Sequence, residues 1–522
     1  HKPASYEQVM AARKRLKWDE ALAVQVALVR RKLRADAAPA RPRPRREGGL
    51  LSAFDASLPY ELTAGQVRVG ETIAADLARA HPMHRLLQGE VGSGKTVVAL
   101  RAMLQVVDAG GQAALLAPTE VLAAQHHRGI RELLGPLGRA GELDSAEQAT
   151  AVVLVTGSQS AMARRQALAA AASGQAGIVV GTHALLSEGV EFKDLGLVVI
   201  DEQHRFGVQQ RDALRAKAGA EPPHVLVMTA TPIPRTVAMT VFGDLETSEL
   251  TELPRGRSPI ATHVVPARDA RWTARMWERL REEVAQGHQA YVVFPRIGGD
   301  GAEDQTEPEP ADDTSSAPRR PLALLELAPV LQDRELKDLR TGILHGRLPP
   351  DEKDRVMRDF AAHKLDVLIA TTVIEVGVDV PNATVMVILD ADRFGVSQLH
   401  QLRGRVGRGS APGLCLLVTE APEGTPARER LAAVASTVDG FELARLDLAL
   451  RREGDVLGEA QSGRSRHLRM LSLVEDEPLI REARMAAIAL LERDPDLSHH
   501  RALAAAVDAI VDDEQAEFLE KG

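Results

Sequence analysis

One eight-residue run, GEVGSGKT at residues 89–96, constrains the fold more than any other part of the sequence. It fits the nucleotide-binding P-loop pattern, in which a glycine-rich turn joins a strand to a helix. The apolar residues Leu86 and Leu87 are typical of a strand end, and residues 96–107 have the pattern of a helix. That order places a helix N-terminus at the phosphates. A glycine-rich turn with a chance lysine is the alternative, and only the rest of the chain can decide between them.

Each residue type in this run has a chemical reason to be there. Glycine lets the backbone curl so that successive N–H groups face a phosphate. Lysine can reach the β- and γ-phosphates, and the hydroxyl of Thr96 is a hard oxygen ligand suited to Mg²⁺. ATP and Mg²⁺ are therefore the predicted cofactors. The predicted phosphate-binding residues are Gly89, Gly92, Ser93, Gly94 and Lys95.

Composition limits the class of protein without identifying it. A chain of 522 residues should hold two or more domains, and aromatic residues at 3% leave the cores to Leu, Val, Ile and Ala. The net charge of −9 does not point to a nucleic-acid binder, but a DNA channel needs only local positive charge. The single cysteine, Cys415, excludes an internal disulfide and fits a small core residue. With no apparent membrane span or signal peptide, we expect a cytoplasmic protein with no membrane partner.

Apolar spacing divides the chain into four regions. Residues 4–33 predict one long helix, and residues 37–49 form a Pro/Arg-rich linker that a helix would not tolerate. Further on, short apolar runs alternate with helical patterns in two successive stretches, which predicts an α/β fold of two RecA-like parallel-sheet lobes. An acidic segment rich in Pro, Ser and Gly, residues 297–320, predicts a mobile insertion in the second lobe. The predicted domains are residues 1–49 (helix and linker), 50–255 (first lobe), 256–430 (second lobe) and 431–522 (helical C-terminal extension). The predicted strands are Ala113–Ala117, Ile178–Val180, Leu197–Ile200, Val225–Met228, Ala290–Phe294, Gly342–Leu344, Val367–Ala370, Val385–Leu389 and Leu414–Val418.

A second ATPase element follows the strand Leu197–Ile200. Asp201 and Glu202 come directly after it, and ligands of open parallel sheets bind at the carboxyl ends of strands. Asp201 would hold Mg²⁺ through water, and Glu202 would accept the proton of the attacking water. Gln203 and His204 are then placed to sense the γ-phosphate. The structural alternative for Asp201 and Glu202 is a solvated acidic turn. A later run, Thr229-Ala230-Thr231-Pro232, also follows a strand and could relay the nucleotide state across the lobe. The structural alternative for that run is a helix cap.

The second lobe ends in a run of arginines and glycines at residues 403–409. We predict that Arg405 and Arg408 are arginine fingers, which stabilise charge on the γ-phosphate, and that Gln401 contacts the same region. A solvated basic helix face and a patch for the phosphate backbone are the alternatives. The preceding residues 370–379, which include Gly377 and Asp379, fit a loop that couples nucleotide to strand movement. Fingers from the other lobe would make hydrolysis depend on lobe closure.

As a set, these motifs closely resemble those of the RecG family of superfamily 2 DNA helicases. The resemblance runs from residue 50 to about residue 463, and it implies that Gln66 contacts the adenine. It also implies a double-stranded DNA translocase that remodels branched DNA, by regression of stalled forks and branch migration of Holliday junctions, in recombination and repair. The residues that carry it are GEVGSGKT (89–96), APTEVLAAQH (117–126), GTHALL (181–186), DEQHRFGV (201–208), MTATPIPRT (228–236), ATTVIEVGVDVPNAT (370–384) and QLHQLRGRVGRG (398–409).

The resemblance carries further expectations about partners and termini. It implies a monomer that binds branched or duplex DNA at the bacterial nucleoid, with a single-strand-binding protein as a candidate partner. The family's N-terminal wedge domain is expected to be mostly missing, which would weaken fork remodelling. In the C-terminal extension, Arg445, Arg451 and Arg452 could contact phosphates of duplex DNA, although Arg452-Glu453-Gly454 departs from the family's Gly-Pro-Gly.

Two other functions are compatible with these motifs. A translocase of the transcription-repair coupling factor type shares the TATPIPRT run and the segment after the arginine motif, but no polymerase-binding module is visible. A regulatory P-loop protein would bind nucleotide without doing work, and it would need neither Glu202 nor the arginine pair. Stimulation of ATP hydrolysis by DNA separates this regulatory protein from both translocases.

Overall fold

The computed structural model of the chain describes two compact units, each with its own sheet. The described residues are 5–509 except for 37–38, 158, 183–184, 186–188, 202–220, 230–244, 253–258, 299–321, 372–379, 410, 451–469 and 472–475. The first unit comprises residues 1–89, 94–251 and 448–522. The second unit comprises residues 252–447 together with the P-loop residues 90–93. The predicted acidic insertion lies almost entirely outside the described residues.

The first unit is built on a fully parallel sheet whose described strands have the order β3-β4-β2-β5-β6-β1-β7. Its central strands are buried along their whole length, which is why they appear in the sequence as unbroken apolar runs. The four strands predicted for this lobe are confirmed: three are longer than predicted by two or three residues, and the predicted Ala113–Ala117 begins and ends one residue earlier. The strands are β1 (His84–Gly89), β2 (Gln112–Leu116), β3 (Ala151–Val155), β4 (Ala176–Gly181), β5 (Leu195–Asp201), β6 (His224–Thr229) and β7 (Glu246–Leu250).

Helices cover the sheet of the first unit. The predicted helix after the P-loop is confirmed as Lys95–Asp108, and its buried residues Leu100, Met103 and Leu104 belong to the main core of this unit. The long helix predicted at the N-terminus is also confirmed, with bounds Tyr6–Asp36. The described helices are α1 (Tyr6–Asp36), α2 (Leu50–Ser57), α3 (Ala64–Leu77), α4 (Lys95–Asp108), α5 (Glu120–Leu134) and α6 (Ala161–Ser173).

The Pro/Arg-rich segment is in neither helix nor strand over its described residues 39–49, and it is fastened to the first unit. The backbone N–H groups of Ala40 and Arg43 donate to the carbonyls of Ala80 and Leu77, over 3.0 and 2.6 Å. The guanidinium of Arg43 is buried and forms a two-point ion pair with Asp194, which Arg41 also contacts over 2.9 Å. This hydrogen-bonded pair holds the pKa of the Asp194 carboxyl below its usual range. The segment is therefore a strap on the lobe surface.

The two ends of the chain meet within the first unit. A late helix, Glu477–Arg493, packs along α1, with Val26 and Val29 against Ala487 and Leu491. Lys17 forms an ion pair with Asp476 over 2.6 Å. The same unit therefore contains segments that are more than 400 residues apart in the sequence.

The second unit has a smaller parallel sheet with the strand order β10-β11-β9-β12-β13-β8. The five strands predicted for this lobe are confirmed, and an additional edge strand, β8, was not predicted. Cys415 is fully buried in β13 as predicted, and burial raises the pKa of its thiol to about 12. The strands are β8 (Ile260–Pro266), β9 (Gln289–Val293), β10 (Thr341–Leu344), β11 (Val367–Ala370), β12 (Ala383–Ile388) and β13 (Gly413–Thr419).

The helices of the second unit surround this sheet, and the last of them lies in the predicted C-terminal extension. In that helix, Leu443 is buried in the same core as Leu399 and Leu402 of the arginine motif. The helices are α7 (Ala270–Ala285), α8 (Leu324–Asp333), α9 (Pro350–Ala361), α10 (Val396–Arg403), α11 (Pro426–Ser436) and α12 (Gly440–Leu450); in the first unit, α13 is Glu477–Arg493. Among the helices that the structure describes, none combines the length and the apolar composition that a bilayer crossing requires.

Candidate active site

The P-loop joins β1 to α4 in the predicted strand–loop–helix order. Gly92 and Gly94 have φ angles of 84° and 86°, in the left-handed region that favours glycine. A Cβ atom at Gly94 would lie 2.2 Å from Nε2 of Gln66, so close contact as well as backbone conformation requires glycine there. Lys95 Nζ donates to the carbonyl of Gly89 over 2.7 Å, which keeps the ammonium group at the loop. The loop thus has the backbone shape and the cation that a phosphate needs.

Gln66 is held rigidly beside this loop. Its side-chain oxygen accepts the N–H of Thr63 over 2.9 Å, while the Thr63 hydroxyl accepts the N–H of Gln66 over 3.2 Å. This reciprocal capping box starts α3 and leaves Gln66 only 3% exposed. The residues just before and after it, including Tyr60 and Val67, border a depression of about 480 Å³. Space for a planar base therefore lies close in sequence to Gln66, which is predicted to contact the adenine.

Asp201 lies at the same edge of the sheet as the P-loop. It ends β5, whose neighbour β6 ends at Thr229, and the next strand, β1, ends at Gly89. The register pairs Asp201 with Met228 and Thr229 with Gln88, so the three carboxyl ends stand in one row. Adjacent strands lie about 4.8 Å apart, which puts Asp201 about 10 Å from the start of the loop. That spacing suits a metal ion held between the carboxylate and a bound phosphate.

One hydrogen bond in this row was not anticipated from the sequence. Nε2 of His126, on α5, lies 2.7 Å from Oδ2 of Asp201, and each of the two side chains is only 12% exposed. His126 belongs to the APTEVLAAQH run, which contributes to the helicase resemblance but predicts no role for a particular residue. The position of His126 in the chain could have indicated this contact, because α5 follows β2, the strand that neighbours β5.

Thr96 and Asp201 fit a magnesium ion in donor type. Both offer oxygen, the ligand that this ion prefers, and Mg²⁺ usually combines one or two protein oxygens with waters and substrate phosphates. Within the described ranges, there is no cluster of three or more His, Cys, Asp or Glu side chains that could hold a metal by itself. A magnesium ion at this edge would consequently draw most of its ligands from nucleotide and water.

The arginine motif lies at the end of α10 in the second unit. Gln398 caps the start of this helix by accepting the N–H of Gly395 over 3.1 Å, and Gln401 is half-buried in its last turn. Arg405 lies in the turn that follows the helix and Arg408 three residues further on, and both are half-buried. Nε of Arg408 donates to the carbonyl of Gly404 over 2.9 Å. A solvated basic helix face, one alternative for this run, is wrong because the helix ends at Arg403 and that arginine is buried.

Arg403 has a structural position that the sequence did not reveal. Its side chain is 2% exposed, and Nη1 donates to the carbonyls of Val434 and Thr437 over 2.7 and 2.6 Å. Nη2 lies 2.8 Å from Nδ1 of His400. These bonds tie the arginine motif to the junction between α11 and α12, within the predicted C-terminal extension. The sequence alone does not show which of the three arginines in this run is buried.

Several predicted site residues lie outside the described part of the chain. Thr229 is described and fully buried at the end of β6, whereas the rest of its TATP run is not described. Arg445 lies on α12. The predicted residues outside the described ranges are Glu202, Gln203, His204, Gly377, Asp379, Arg451 and Arg452.

The fold and the site together define a helicase motor with two RecA-like lobes. The DEAD/DEAH box helicase family matches residues 69–240, and the helicase conserved C-terminal domain matches residues 319–410. The chain belongs to the RecG family of ATP-dependent DNA helicases. Its residues 437–504 match RecG domain 3, and it is 55% identical to the RecG helicase of Mycobacterium tuberculosis over 514 residues. The RecG-specific match after the arginine motif disfavours the coupling-factor alternative.

Other relatives agree with this assignment. The RecG helicase of Mycobacterium leprae is 53% identical over 98% of this chain. A solved structure of RecG bound to a three-way DNA junction superposes with a TM-score of 0.70 and 37% identity over 92% of this chain. The chain spans 68% of the length of the two mycobacterial relatives and 58% of the chain in that structure.

Proposed function

We propose that this chain is the motor of an ATP-driven translocase on double-stranded DNA that remodels branched DNA. The proposed reactions are regression of stalled forks and branch migration of Holliday junctions, in recombination and repair. The observation that carries the proposal is the likeness to RecG bound to a three-way junction, which extends over both lobes and into the C-terminal segment. Domain boundaries at residues 50, 256 and 431 belong to the same proposal.

ATP binds at the P-loop in this proposal. The loop formed by Gly89, Gly92, Ser93 and Gly94 would surround the phosphates with backbone N–H groups, at the N-terminus of α4. Lys95 would exchange its bond to the Gly89 carbonyl for the β- and γ-phosphates. Gln66, fixed by its capping box, would contact the adenine at the edge of the adjoining depression.

Magnesium would be held by the Thr96 hydroxyl and, through water, by Asp201. When bound, the ion neutralises the negative charge that develops on the phosphates. Glu202 would take the proton from the attacking water, and its two neighbours, Gln203 and His204, would respond to the γ-phosphate. The position of Asp201 at a strand end two strands from the P-loop strand, on the same edge of the sheet, supports this assignment.

Hydrolysis would be completed by the arginine motif. We propose that Arg405 and Arg408 stabilise the transition state as arginine fingers, with Gln401 beside them. Gly377 and Asp379 are assigned to the loop that couples nucleotide and DNA. The half-buried positions of both arginines support the finger role, since a guanidinium acts most strongly where water is partly excluded.

Duplex and branched DNA are the proposed macromolecular substrates. Work on chromosomal DNA would place the protein in the cytoplasm at the bacterial nucleoid. We further propose that it acts as a monomer and that a single-strand-binding protein is a partner, because forks expose single strands.

The decisive experiment measures ATP hydrolysis with forked, duplex and single-stranded DNA of equal length. We expect forked and duplex DNA to stimulate hydrolysis more than single strands do. Lys95→Ala should abolish the activity, because the phosphates lose their main cationic contact. Hydrolysis that no DNA stimulates would favour the regulatory P-loop protein, and hydrolysis by Lys95→Ala within a few-fold of wild type would overturn the assignment of the site.

A further inference from the structure

The contact between His126 and Asp201 adds a residue to the ATPase site. We propose that His126 is a positioning residue, which holds the Asp201 carboxylate in the orientation that Mg²⁺ binding requires. The inference rests on the proposed function, because it assumes that Asp201 serves a magnesium–nucleotide complex. It is independent of the identity of the DNA substrate.

The topology explains how His126 reaches Asp201. β2 and β5 are neighbours, and the register places Leu116 beside Ile200, one residue before Asp201. α5 starts at Glu120, four residues after β2 ends, and Thr119 caps it by accepting the N–H of Leu122. His126 lies six residues into this helix, about 9 Å along its axis at 1.5 Å per residue. The helix thus carries the imidazole from the end of β2 to the adjacent strand end.

The chemistry of the pair defines which atom donates. An ionised carboxylate can only accept, so Nε2 of His126 carries the hydrogen and Oδ2 of Asp201 receives it. Both side chains are largely shielded from solvent, and water therefore competes weakly for either group. The bond engages one carboxylate oxygen and restricts rotation of the group, leaving the second oxygen with a defined direction. Hydrogen bonds that orient metal-binding side chains commonly change metal affinity by 10- to 100-fold.

The next residue on the same helix is a natural control. Nε2 of His127 lies 3.2 Å from the carbonyl of Val152, on β3, away from the candidate site. Burial lowers the pKa of His127, which favours its neutral form. His126 and His127 are the same residue type at adjacent positions of one helix, and both are partly buried. Replacing either one with alanine changes the helix propensity equally, but only His126 contacts Asp201.

The test uses the full chain and a fluorescent, non-hydrolysable ATP analogue titrated with Mg²⁺. His126→Ala should raise the Mg²⁺ concentration for half-maximal binding about tenfold or more, at unchanged analogue affinity in EDTA. His126→Gln, whose amide nitrogen can replace Nε2 as a donor, should restore most of this loss. His127→Ala should leave the Mg²⁺ requirement at the wild-type value. Thermal unfolding in EDTA shows whether each variant is folded, and a His126→Ala protein that does not fold is replaced by His126→Asn.

The outcomes separate the inference from the function on which it rests. Equal Mg²⁺ requirements for His126→Ala and His127→Ala would overturn the positioning role and leave a packing role. Tighter Mg²⁺ binding by His126→Ala would also overturn it, since His126 would then compete with the ion. Wild-type binding that does not respond to Mg²⁺ would instead contradict the proposed magnesium–ATP site.

Discussion

Replacing Arg403 with methionine should destabilise the second unit while leaving the first unit intact. Methionine fills a similar buried volume but donates no hydrogen bond. The carbonyls of Val434 and Thr437 then lose their donor, and Nδ1 of His400 loses its contact with Nη2. The junction between α11 and α12 is the region that loses support.

The magnitude follows from the burial of the two acceptors. A hydrogen bond from a charged donor contributes about 1.5–3 kcal/mol. Val434 is fully buried, so its bond belongs near the upper value, whereas the partly exposed Thr437 can recover a bond to water. Removing a buried charge also relieves a desolvation cost, which offsets part of the loss. We therefore expect the free energy of unfolding to fall by about 3 kcal/mol.

Tryptophan fluorescence during urea unfolding can measure this change. Trp272 and Trp277 lie on α7 in the second unit, while Trp18 lies on α1 in the first. In a Trp18→Phe background, the emission therefore reports the second unit alone. The matched control is Arg271→Met, at an exposed position on α7. It should change the free energy of unfolding by less than about 0.5 kcal/mol.

A further variant separates charge from hydrogen bonding. Arg403→Lys keeps the cation and one flexible donor, so its stability should lie between wild type and Arg403→Met. If the free energy of unfolding of Arg403→Met lies within about 1 kcal/mol of the wild-type value, the three bonds do not hold the junction. The argument from burial would then be refuted.

Three further predictions concern chemistry and pH. Glu202→Gln should bind ATP and DNA but turn over about 100-fold more slowly or worse, and loss of ATP binding in a fluorescence titration would make Glu202 structural. Arg408→Ala should keep its ATP affinity and hydrolyse about a thousandfold more slowly; normal hydrolysis with lost DNA binding would assign it to the DNA backbone. Burial lowers the pKa of His224 to about 4, so its neutral form, whose Nδ1 accepts the N–H of Met83, is favoured in the folded protein. The stability it contributes is complete above pH 6.5 and falls by about 3 kcal/mol as the pH drops to 4. His224→Asn should reduce that acid sensitivity in denaturant titrations, and an unchanged acid profile would contradict the assignment.

Much of the fold follows from local patterns in the sequence. A strand buried on both faces must be apolar throughout, and the nine predicted strands are apolar runs that are mostly buried, except for the partly buried edge strand β10. The P-loop was equally local, because its glycines, lysine and flanking strand and helix lie within 25 residues. The Pro/Arg-rich segment is not helical over its described residues 39–49, as the sequence predicts, since proline lacks the N–H that a helix needs.

The order of strands within each sheet was decided by the tertiary structure. Apolar runs do not specify their neighbours, and the order β5-β6-β1 is what brings Asp201, Thr229 and the P-loop into one row. The same holds for His126, which lies 75 residues from Asp201, and for Arg403, whose acceptors lie 31 and 34 residues away.

The sequence by itself determined the type of the predicted elements, the loop chemistry and the resemblance to a helicase family, because these depend on neighbouring residues, whereas the strands β3, β7 and β8 were not predicted. Only the tertiary structure decided which polar groups became partners. The strap at Arg43 shows why: its guanidinium was costly to bury until Asp194, 151 residues away, supplied the opposite charge. Pairing of buried charges and hydrogen-bonding groups is a property of the assembled core, where the low dielectric penalises every group that lacks a partner.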